Sequence, residues 1–525
     1  MRVTRWLAAI VASAPTFVSA QVASPAPPAD LDAYVASVLR EFQVPGVAVA
    51  IVKDGKVILA QGYGVRRLGD TAHVTPRTLF GIASNTKAFT ATSLAMLVEE
   101  GKLDWDAPVV NYLPAFAMFD PFVTRELTIK DLLVHRSGLG LGAGDLLWWP
   151  TSIYSREEIA KRLRYIRPAT SFRSAYAYDN VLYLVASQVI EAVSGKSWED
   201  FVTTRILQPV GMSTSGVRLS GSAAAATGAD VATTHAEIEG KVRPIAPFTS
   251  DNTNPAGGIM SNAQDMAKWV IAQLDSGRVG DKRLWSQRSA RMLWTGVTPT
   301  PIGTPPPELR HMQASFNAYA LGFNTRDYRG RKMLQHSGGL PGYVSLVTMI
   351  PDLKLGVVVL TNMEAGLAFN AITYRIVDHY MGAQAPDYLG VYRAQTARAH
   401  TQLVQTNQQA AAQRNATSKP SLAPGNYAGT YVDAWYGDVT IAEESGKLVM
   451  RFTKTPSLVG DLEHWQYDTF VVRWRDRELR ADAYVTFTLN PDASISEARM
   501  APASPDVDFS FDFQDLLLKP KAAPR

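Results

Sequence analysis

The sequence has no cysteine among its 525 residues, which excludes disulfide bonds, a cysteine nucleophile and any thiolate metal site. Charged residues make up only 19 % of the chain, and the net charge of +4 is small for this length. This balance gives no support for a nucleic-acid partner, which normally requires Lys and Arg clustered on one face. No stretch approaches the roughly 18 unbroken apolar residues of a membrane span, so no stable membrane anchor is expected.

Several catalytic motifs are also missing. The eight His residues are dispersed and none forms His-Glu-x-x-His, so neither a metal site nor a cofactor is predicted. The absence of a Gly-x-Ser-x-Gly nucleophile elbow disfavours an α/β-hydrolase. Alternating glycines from Gly138 to Gly144 lack the lysine of a phosphate-binding loop and are interpreted as a flexible loop at an active-site edge.

The residues that are present describe a packed globular protein with more than one domain. Hydrophobic residues make up 46 % of the chain, with 11 Trp, 20 Tyr and 19 Phe, and 525 residues exceed one ordinary core. Near the beginning, Arg2 and Arg5 flank the start of a short apolar run, and small residues precede Gln21. This pattern predicts a cleaved signal peptide over residues 1–20 and a periplasmic or secreted location.

Residues 30–385 are predicted to form an α+β domain. Two β-rich runs, residues 47–52 and 57–63, flank an Asp-Gly turn and indicate a hairpin, and further strands are expected between residues 334 and 361. An early hairpin and late strands predict one antiparallel sheet flanked by helices, with a helical lobe between them. The predicted helices are residues 30–43, 86–100, 129–133, 156–163, 181–193, 263–274 and 370–380.

The character of the chain changes after this domain. Residues 386–423 are rich in Gln, Ala, Asn and Thr and are predicted to be a linker. Residues 424–520 contain short β-type runs separated by turns, which predict a small C-terminal β-barrel. The predicted strands are residues 427–432, 437–442, 447–452, 469–474 and 483–489.

The strongest chemical signal is Ser84-Asn85-Thr86-Lys87 at the start of a predicted helix. Positions i and i+3 lie on one helix face, so the Ser84 hydroxyl and the Lys87 amine are expected to be neighbours. A serine needs a nearby base to become a nucleophile, and a lysine serves as that base when burial depresses its pKa. A helix N-terminus also aims backbone N–H groups at a developing oxyanion.

Two further motifs follow downstream. Tyr178-Asp179-Asn180 precedes the helix predicted from residue 181, and His336-Ser337-Gly338-Gly339 opens a strand-like run. Ser-x-x-Lys, Tyr-x-Asn and His-x-Gly in this order and at these separations resemble the penicillin-recognising serine hydrolases. That family includes the class C β-lactamases, D,D-peptidases and D-aminopeptidases. The resemblance covers about residues 30–385 and implies a β-lactamase/transpeptidase-like fold.

The resemblance implies catalytic roles for three residues. Ser84 is expected to form an acyl-enzyme, while Lys87 and Tyr178 exchange its proton. Tyr178 becomes a base only if nearby cations favour its phenolate.

The resemblance also implies how substrate is held. Asn180 is expected to orient the substrate amide and Lys87. The backbone N–H groups of Ser84 and Gly339, the latter beside Gly338, are expected to form an oxyanion hole. His336 is expected to sit at the leaving side of the substrate and bind its carboxylate.

The chain departs from the class C β-lactamases in two motifs. His336 stands where those enzymes carry the lysine of Lys-Thr-Gly, as it does in D,D-peptidase, D-aminopeptidase and esterase relatives, which weakens an antibiotic-resistance role. Asp179 replaces a common small residue and is expected to alter the pocket mouth. Outside the motifs, His135 is interpreted as a structural hydrogen-bonding residue. Trp148-Trp149 are interpreted as packing residues, with a substrate-binding edge as the alternative.

The C-terminal block carries its own resemblance. Tyr427-Ala428-Gly429-Thr430-Tyr431, followed by Tyr436-Gly437, is similar to the lipocalin-like domain found behind many members of this family. Its role stays open between capping the active-site mouth, assisting oligomerisation and stabilising the fold.

Three functions are compatible with these residues. The first is a serine hydrolase that cleaves an amide bond in small peptides, and the second is an esterase or weak β-lactamase of the same family. The third is a non-catalytic penicillin-binding cell-wall protein, against which the intact Ser84, Lys87, Tyr178 and Asn180 argue. A small-molecule or peptide substrate is the expected partner, and the sequence fixes neither its identity nor the oligomeric state.

Overall fold

A computed structural model describes residues 26–221 and 229–521. The predicted signal peptide, residues 1–20, lies outside the described residues. Within those ranges, no helix combines the length and apolar character that crossing a bilayer requires.

In the described part of the first domain, the strands form one eight-stranded antiparallel sheet and three two-stranded pairs. In the large sheet the early hairpin lies beside a late strand, so the predicted fold class is confirmed. The strands are β1 Gly46–Lys53, β2 Lys56–Gly64, β3 Phe80–Gly81, β4 His235–Ile238, β5 Lys241–Pro244, β6 Met260–Ser261, β7 Arg278–Val279, β8 Lys282–Arg283, β9 Thr298–Pro299, β10 Asn317–Tyr319, β11 Asn324–Tyr328, β12 Arg331–Leu340, β13 Tyr343–Ile350 and β14 Leu355–Thr361. The order of the large sheet is β2-β1-β14-β13-β12-β11-β10-β9.

The first hairpin follows from its turn and from the alternation of its side chains. Asp54 and Gly55 adopt positive φ angles of 52° and 74°, as a two-residue turn between antiparallel strands requires. Along β1, successive side chains belong to two different hydrophobic clusters, so both faces of the sheet are covered. One set is Ala48, Ala50 and Val52, and the other is Val47, Val49 and Ile51.

Most of the predicted helices are confirmed in position. The one predicted over residues 129–133 is wrong, because only a 3-10 turn at Asp131–Leu133 forms there. The described part of the chain has the helices α1 Leu31–Glu41, α2 Lys87–Glu99, α3 Pro121–Glu126, α4 Arg156–Arg162, α5 Val181–Ser194, α6 Trp198–Val202, α7 Gln208–Val210, α8 Asn254–Gly257, α9 Ala263–Leu274, α10 Gln287–Leu293, α11 Gly366–Tyr380 and α12 Tyr388–Ala412.

Different helices cover the two faces of the sheet. Helices α1 and α11 pack on the face that carries Val47, whereas α2, α5 and α9 belong to the larger core on the opposite face. Helix α5 is the centre of the helical lobe, since nine of its residues are buried. The sheet and the lobe meet where α2 and α5 begin, which brings the first two sequence motifs together.

Helix α12 occupies much of the segment that was predicted to be a linker. It is 25 residues long, yet only Tyr388 and Tyr392 in its first turns are buried. The remaining turns are rich in exposed Gln and Ala, so they lack the apolar periodicity that signals a packed helix.

The C-terminal strands form a closed antiparallel barrel of eight strands in sequence order, which confirms the predicted β-barrel. Three of these strands, Val459–Gln466, Ile495–Pro502 and Leu517–Pro520, were not predicted from the sequence, because polar residues interrupt their apolar pattern. The strands are β15 Gly429–Asp433, β16 Gly437–Glu444, β17 Lys447–Phe452, β18 Val459–Gln466, β19 Thr469–Trp474, β20 Ala483–Leu489, β21 Ile495–Pro502 and β22 Leu517–Pro520.

The connection between the last two barrel strands, residues 503–516, contacts the first domain and is here called the crossing segment. The carboxylate of Asp512 accepts hydrogen bonds from the backbone N–H groups of Gly144 (2.6 Å) and Leu146 (3.0 Å). A Cβ added at Gly142 would lie 2.7 Å from the carbonyl oxygen of Phe509, so the glycine-rich loop packs directly against this segment. The barrel is therefore joined to the edge of the helical lobe.

A buried carboxylate ties together the two loops that lead to the second motif. Asp131 accepts hydrogen bonds from Arg136 Nε (2.8 Å), Arg173 Nη2 (2.5 Å) and the Thr128 hydroxyl (2.8 Å). Burial alone would raise the pKa of Asp131, but the bonds from Arg173, Thr128 and Arg136 lower it below its usual value. Asp131 therefore stabilises the fold as a charged group.

We expect Asp131→Asn to lower the free energy of unfolding by about 1–3 kcal/mol at neutral pH, because both arginines, which are partly exposed, lose a charged acceptor. The folded-state pKa is depressed, so the contribution is present above about pH 4 and is lost as pH falls through the folded-state value. Scanning calorimetry from neutral to acid pH measures both effects. Asp106→Asn, which breaks an exposed pair with Lys130, is the control, and equal melting of the two variants would contradict the role of Asp131.

Candidate active site

Ser84 lies in a strained turn directly before α2. The 3-10 turn Ala83–Thr86 contains it, and Ala83 has a left-handed φ of 49°. The turn is held from behind by β13, where the Ser345 hydroxyl donates to the Ile82 carbonyl (2.8 Å) and accepts from Asn85 Nδ2 (2.8 Å). Strained backbone of this kind clusters at functional sites and persists only where surrounding contacts impose it.

Strand β12 approaches this turn closely because residue 338 is glycine. A Cβ at Gly338 would lie 2.3 Å from the Ile82 carbonyl oxygen and 2.6 Å from Ser345 Oγ. The next residue, Gly339, lines the same cavity as Ser84. The two predicted oxyanion-hole residues thus lie on adjacent elements.

Lys87 is fully buried, and its amine contacts three acceptors. Nζ lies 3.1 Å from Ser84 Oγ, 2.7 Å from Asn180 Oδ1 and 3.0 Å from the Ala256 carbonyl oxygen. Burial lowers the pKa of Lys87 to about 7, although the carboxyl groups of Asp145 and Asp179 oppose that shift. A neutral amine has only two N–H donors, which match the two carbonyl oxygens and leave its lone pair facing Ser84 Oγ.

Tyr178 contacts Ser84 from a second direction. Its hydroxyl donates to Ser84 Oγ at 2.9 Å. Burial raises the pKa of Tyr178 well above its usual value, although the bond with Ser84 acts in the opposite direction. The phenol is therefore protonated at neutral pH, and Lys87 is the better placed of the two groups to accept the Ser84 proton.

Asn180 lies at the N-terminus of α5 and is oriented by contacts on both sides. Its Oδ1 accepts from Lys87, and its Nδ2 donates to Asp145 Oδ2 at 2.9 Å. Asp145 itself is fully buried, in the 3-10 turn Asp145–Leu147 that follows the glycine-rich loop. Sequence reasoning missed Asp145, since no motif contains it.

His336 lies beside the cavity, and its imidazole is neutral. Nδ1 lies 2.6 Å from the Ser337 carbonyl oxygen, so this nitrogen carries the proton, and Nε2 accepts from the Tyr319 hydroxyl at 2.8 Å. Burial lowers the pKa of His336 to about 3, assisted by the charge of Lys87. Because the imidazole is neutral and both nitrogens are engaged, this geometry does not favour a substrate carboxylate at His336, and its substrate-binding role stays a prediction.

An aromatic cluster that the sequence did not reveal surrounds the second motif. The His135 ring lies 4.3 Å from both the Tyr178 and the Tyr319 rings, between centroids, and Nδ1 of His135 accepts from the Asp179 backbone N–H at 3.2 Å. This agrees with a structural role for His135. The prediction that Asp179 alters the pocket mouth is wrong, since its side chain is fully buried.

A cavity of about 810 Å³ contains the site and is walled by both domains. Trp148 and Trp149, interpreted from the sequence as packing residues, are both buried and line it. The structure brings all the predicted site residues to this place, with Lys87 beneath the wall. The wall includes Ser84, Tyr178, Asn180, His336 and Gly339 from the first domain, and Leu479, Arg480, Phe509, Ser510 and Phe511 from the barrel domain.

The charged groups of the wall are mostly acidic. Among the described residues, Arg480 is the one arginine or lysine that lines the cavity, and it forms a bidentate pair with Glu364 (2.7 and 2.8 Å). The acidic lining residues are Glu364, Asp476, Glu478, Asp506 and Asp508. In the ranges that the structure describes, no group of three or more His, Cys, Asp or Glu side chains is arranged to hold a metal ion.

Comparisons with known proteins agree with this geometry. Residues 31–380 match the family model described as Beta-lactamase, and residues 413–520 match a domain of unknown function (DUF3471). An unguisins hydrolase of Aspergillus campestris is 32 % identical over 379 residues, 68 % of this chain and 66 % of that protein, so the chain spans slightly less than two thirds of that relative. An unguisins hydrolase of Aspergillus violaceofuscus is 29 % identical over 463 residues, 81 % of this chain and 78 % of that protein.

A solved structure shares the whole architecture. The octameric penicillin-binding protein homologue from Pyrococcus abyssi has a TM-score of 0.56 at 21 % identity and covers 93 % of this chain and 99 % of its own. At this identity the likeness shows the fold alone, but it extends over both the first domain and the barrel.

The pKa of Lys87 leads to a pH prediction. If neutral Lys87 accepts the Ser84 proton, the rate of labelling by a fluorophosphonate rises with pH and levels off above about pH 7, the value that burial imposes. We expect Lys87→Ala to lower the plateau rate by about 10²–10⁴-fold, with exposed Lys56→Ala as control and Ser84→Ala showing no label. A wild-type rate that is flat between acid and alkaline pH would contradict this assignment.

A second prediction concerns His336. Since its imidazole is neutral and engaged, His336→Gln should leave the ratio of kcat/KM for carboxylate-bearing and neutral substrates unchanged, while both values fall together. Tyr319→Phe, which removes the same hydrogen bond from the other side, is the matched variant. A fall in kcat/KM confined to the carboxylate-bearing substrate would support the predicted contact between His336 and a substrate carboxylate.

Proposed function

The chain belongs to the beta-lactamase family of serine hydrolases, and we propose that it cleaves an amide bond in small peptides through an acyl-enzyme on Ser84. The observation that carries this proposal is the 3.1 Å contact between Lys87 Nζ and Ser84 Oγ in a fully buried setting. A lysine whose pKa lies near 7 is a competent base at physiological pH.

Acylation follows from the positions of these groups. Ser84 Oγ attacks the substrate carbonyl carbon while its proton passes to the lone pair of Lys87 Nζ. The carbonyl oxygen becomes an oxyanion and accepts hydrogen bonds from the Ser84 and Gly339 N–H groups, each worth roughly 3–4 kcal/mol of barrier in comparable sites. A water molecule then attacks the ester carbonyl while Lys87 accepts its proton. The bond between the acyl group and Ser84 Oγ breaks, Lys87 returns the proton to Ser84 Oγ, and the acid product leaves.

The protonated phenol of Tyr178 favours an amide over an activated ester. An amine is a poor leaving group unless it receives a proton, and Tyr178 is a buried donor that contacts Ser84 Oγ. Tyr178 gives its proton to the departing nitrogen, and the ammonium of Lys87 supplies the replacement. An activated ester leaves without this help.

The cavity wall also restricts the substrate. Its acidic residues and the pairing of Arg480 with Glu364 disfavour a substrate carboxylate near the mouth. Trp148, Trp149 and Phe248 are mutually packed, with Trp149 and Phe248 ring centroids 5.0 Å apart, and present an apolar surface. We therefore propose neutral or cationic peptides with a bulky apolar side chain as the substrate class.

The alternatives are less well supported. A dedicated β-lactamase needs a cation for the antibiotic carboxylate, and His336 is neutral. A non-catalytic penicillin-binding protein has no need of a buried lysine with a depressed pKa, which costs stability. Two relatives carry the name unguisins hydrolase, which supports hydrolytic chemistry. On the strength of the N-terminal residues, we also propose that the protein is exported.

A substrate panel with purified protein tests the proposed function. The panel holds D- and L-aminoacyl amides and anilides with small and bulky side chains, the same compounds bearing an added carboxylate, p-nitrophenyl esters and nitrocefin. We expect the bulky neutral or cationic amides to give the highest kcat/KM, and intact-mass spectrometry to show an acyl adduct on wild type but not on Ser84→Ala.

Tyr178→Phe separates amide from ester chemistry in the same panel. The variant lacks the proton donor, so its turnover of amides should fall by about 10²-fold or more, while its turnover of activated esters should fall far less. Equal losses on amides and on activated esters would contradict the role of Tyr178. Higher turnover of nitrocefin than of any amide would favour a β-lactamase. The absence of any acyl adduct would favour a non-catalytic protein.

A further inference from the structure

The crossing segment of the barrel reaches the catalytic lysine through two intermediate side chains. The Ser510 hydroxyl donates to Asp145 Oδ2 at 2.9 Å, and the same oxygen accepts from Asn180 Nδ2 at 2.9 Å. Asn180 Oδ1 in turn accepts from Lys87 Nζ, which contacts Ser84. All the members before Ser84 are buried. We infer that Ser510 and Asp145 are positioning residues for the Ser84 reaction, an inference that rests on the proposed function.

Asp145 determines which way the Asn180 amide faces. An ionised carboxylate only accepts hydrogen bonds, so it holds the NH₂ group of Asn180 and turns the carbonyl oxygen toward Lys87. A flipped amide would present N–H groups to the lysine and leave the amine without one of its acceptors. Three donors converge on Asp145, because Trp148 Nε1 also donates to its Oδ1 at 2.9 Å.

Ser510 contributes to keeping Asp145 ionised. Burial raises the pKa of Asp145 to about 7, and the hydrogen bonds from Asn180, Ser510 and Trp148 act in the opposite direction. Removal of the Ser510 hydroxyl therefore shifts Asp145 toward its neutral form, which has a proton to donate and no longer selects one orientation of the amide.

The crossing segment is built to hold Ser510 in this place. Asp508 Oδ1 accepts from the Ser510 backbone N–H at 2.9 Å, on one side of it along the chain. On the other side, Asp512 accepts from the N–H groups of Gly144 and Leu146, which flank Asp145. The barrel thus fixes both the Asp145 side chain and the backbone turn that carries it.

The charge of Asp145 also acts on Lys87. The carboxyl group raises the pKa of Lys87 against the effect of burial. A variant with a neutral group at 145, or with a weakened carboxylate, therefore has a lower Lys87 pKa, and its pH profile moves to the acid side. Loss of stability alone would lower the amount of active protein without moving that profile.

The test is the second-order rate of fluorophosphonate labelling at Ser84 from acid to alkaline pH, measured on the full chain. We expect Ser510→Ala to lower the plateau rate by about tenfold and Asp145→Asn by about 10²-fold, with the rising limb displaced to lower pH in both. Ser510→Thr keeps the hydroxyl and should restore most of the rate. Ser504→Ala is the matched control, because Ser504 lies in the same segment but bonds Asn407 on the surface.

The outcomes separate this inference from the proposed function. If the wild type is labelled but Ser510→Ala has the same labelling rate and pH profile as Ser504→Ala, the inference is overturned and the proposed function stands. The inference is also overturned if Ser510→Ala lowers the rate without moving the pH profile and Ser510→Thr does not restore the rate. That result would mean that Ser510 contributes only to packing. Unlabelled wild type overturns both.

Discussion

The burial of one amine is the constraint on which the rest of this structure depends. Lys87 is removed from water, which disfavours its ammonium form, yet it is surrounded by the carbonyl oxygens that an amine requires. The surroundings of Lys87 must therefore provide hydrogen-bond acceptors for the amine and also exclude water, so that the pKa of Lys87 stays near neutrality. Helix α2, helix α5 and helix α8 each supply one part of that environment, so the sheet and the lobe must dock accurately for the site to exist.

The second domain takes part in this arrangement. A barrel that only stabilised the fold would contact the exterior of the first domain, whereas here Phe509, Ser510 and Phe511 enter the cavity wall. The glycine-rich loop makes this possible, since Gly142 leaves room for the Phe509 backbone. Of the three roles left open for the barrel, capping the cavity mouth agrees with these contacts.

The sequence revealed those parts of the site that are local in the chain. Ser84 and Lys87 are recognisable because i and i+3 share a helix face, and the first hairpin because its turn residues demand positive φ. Asp145 and Ser510 were not recognisable, because they are 365 positions apart and only the tertiary fold makes them partners. The third motif identified His336, but the burial that lowers the pKa of its imidazole depends on the tertiary fold and could not be read from the sequence.

The location of Ser510 has a consequence for how the protein is made. A ribosome synthesises the chain from its N-terminus, so Ser84, Lys87 and Asn180 emerge long before the connection between β21 and β22. The Asp145 carboxylate lacks its last donor until the barrel closes around that connection. A nascent or prematurely terminated chain therefore carries Ser84, Lys87 and Asn180 while Asp145 still lacks one of its hydrogen-bond donors, and this set of contacts is completed only when the last strands form.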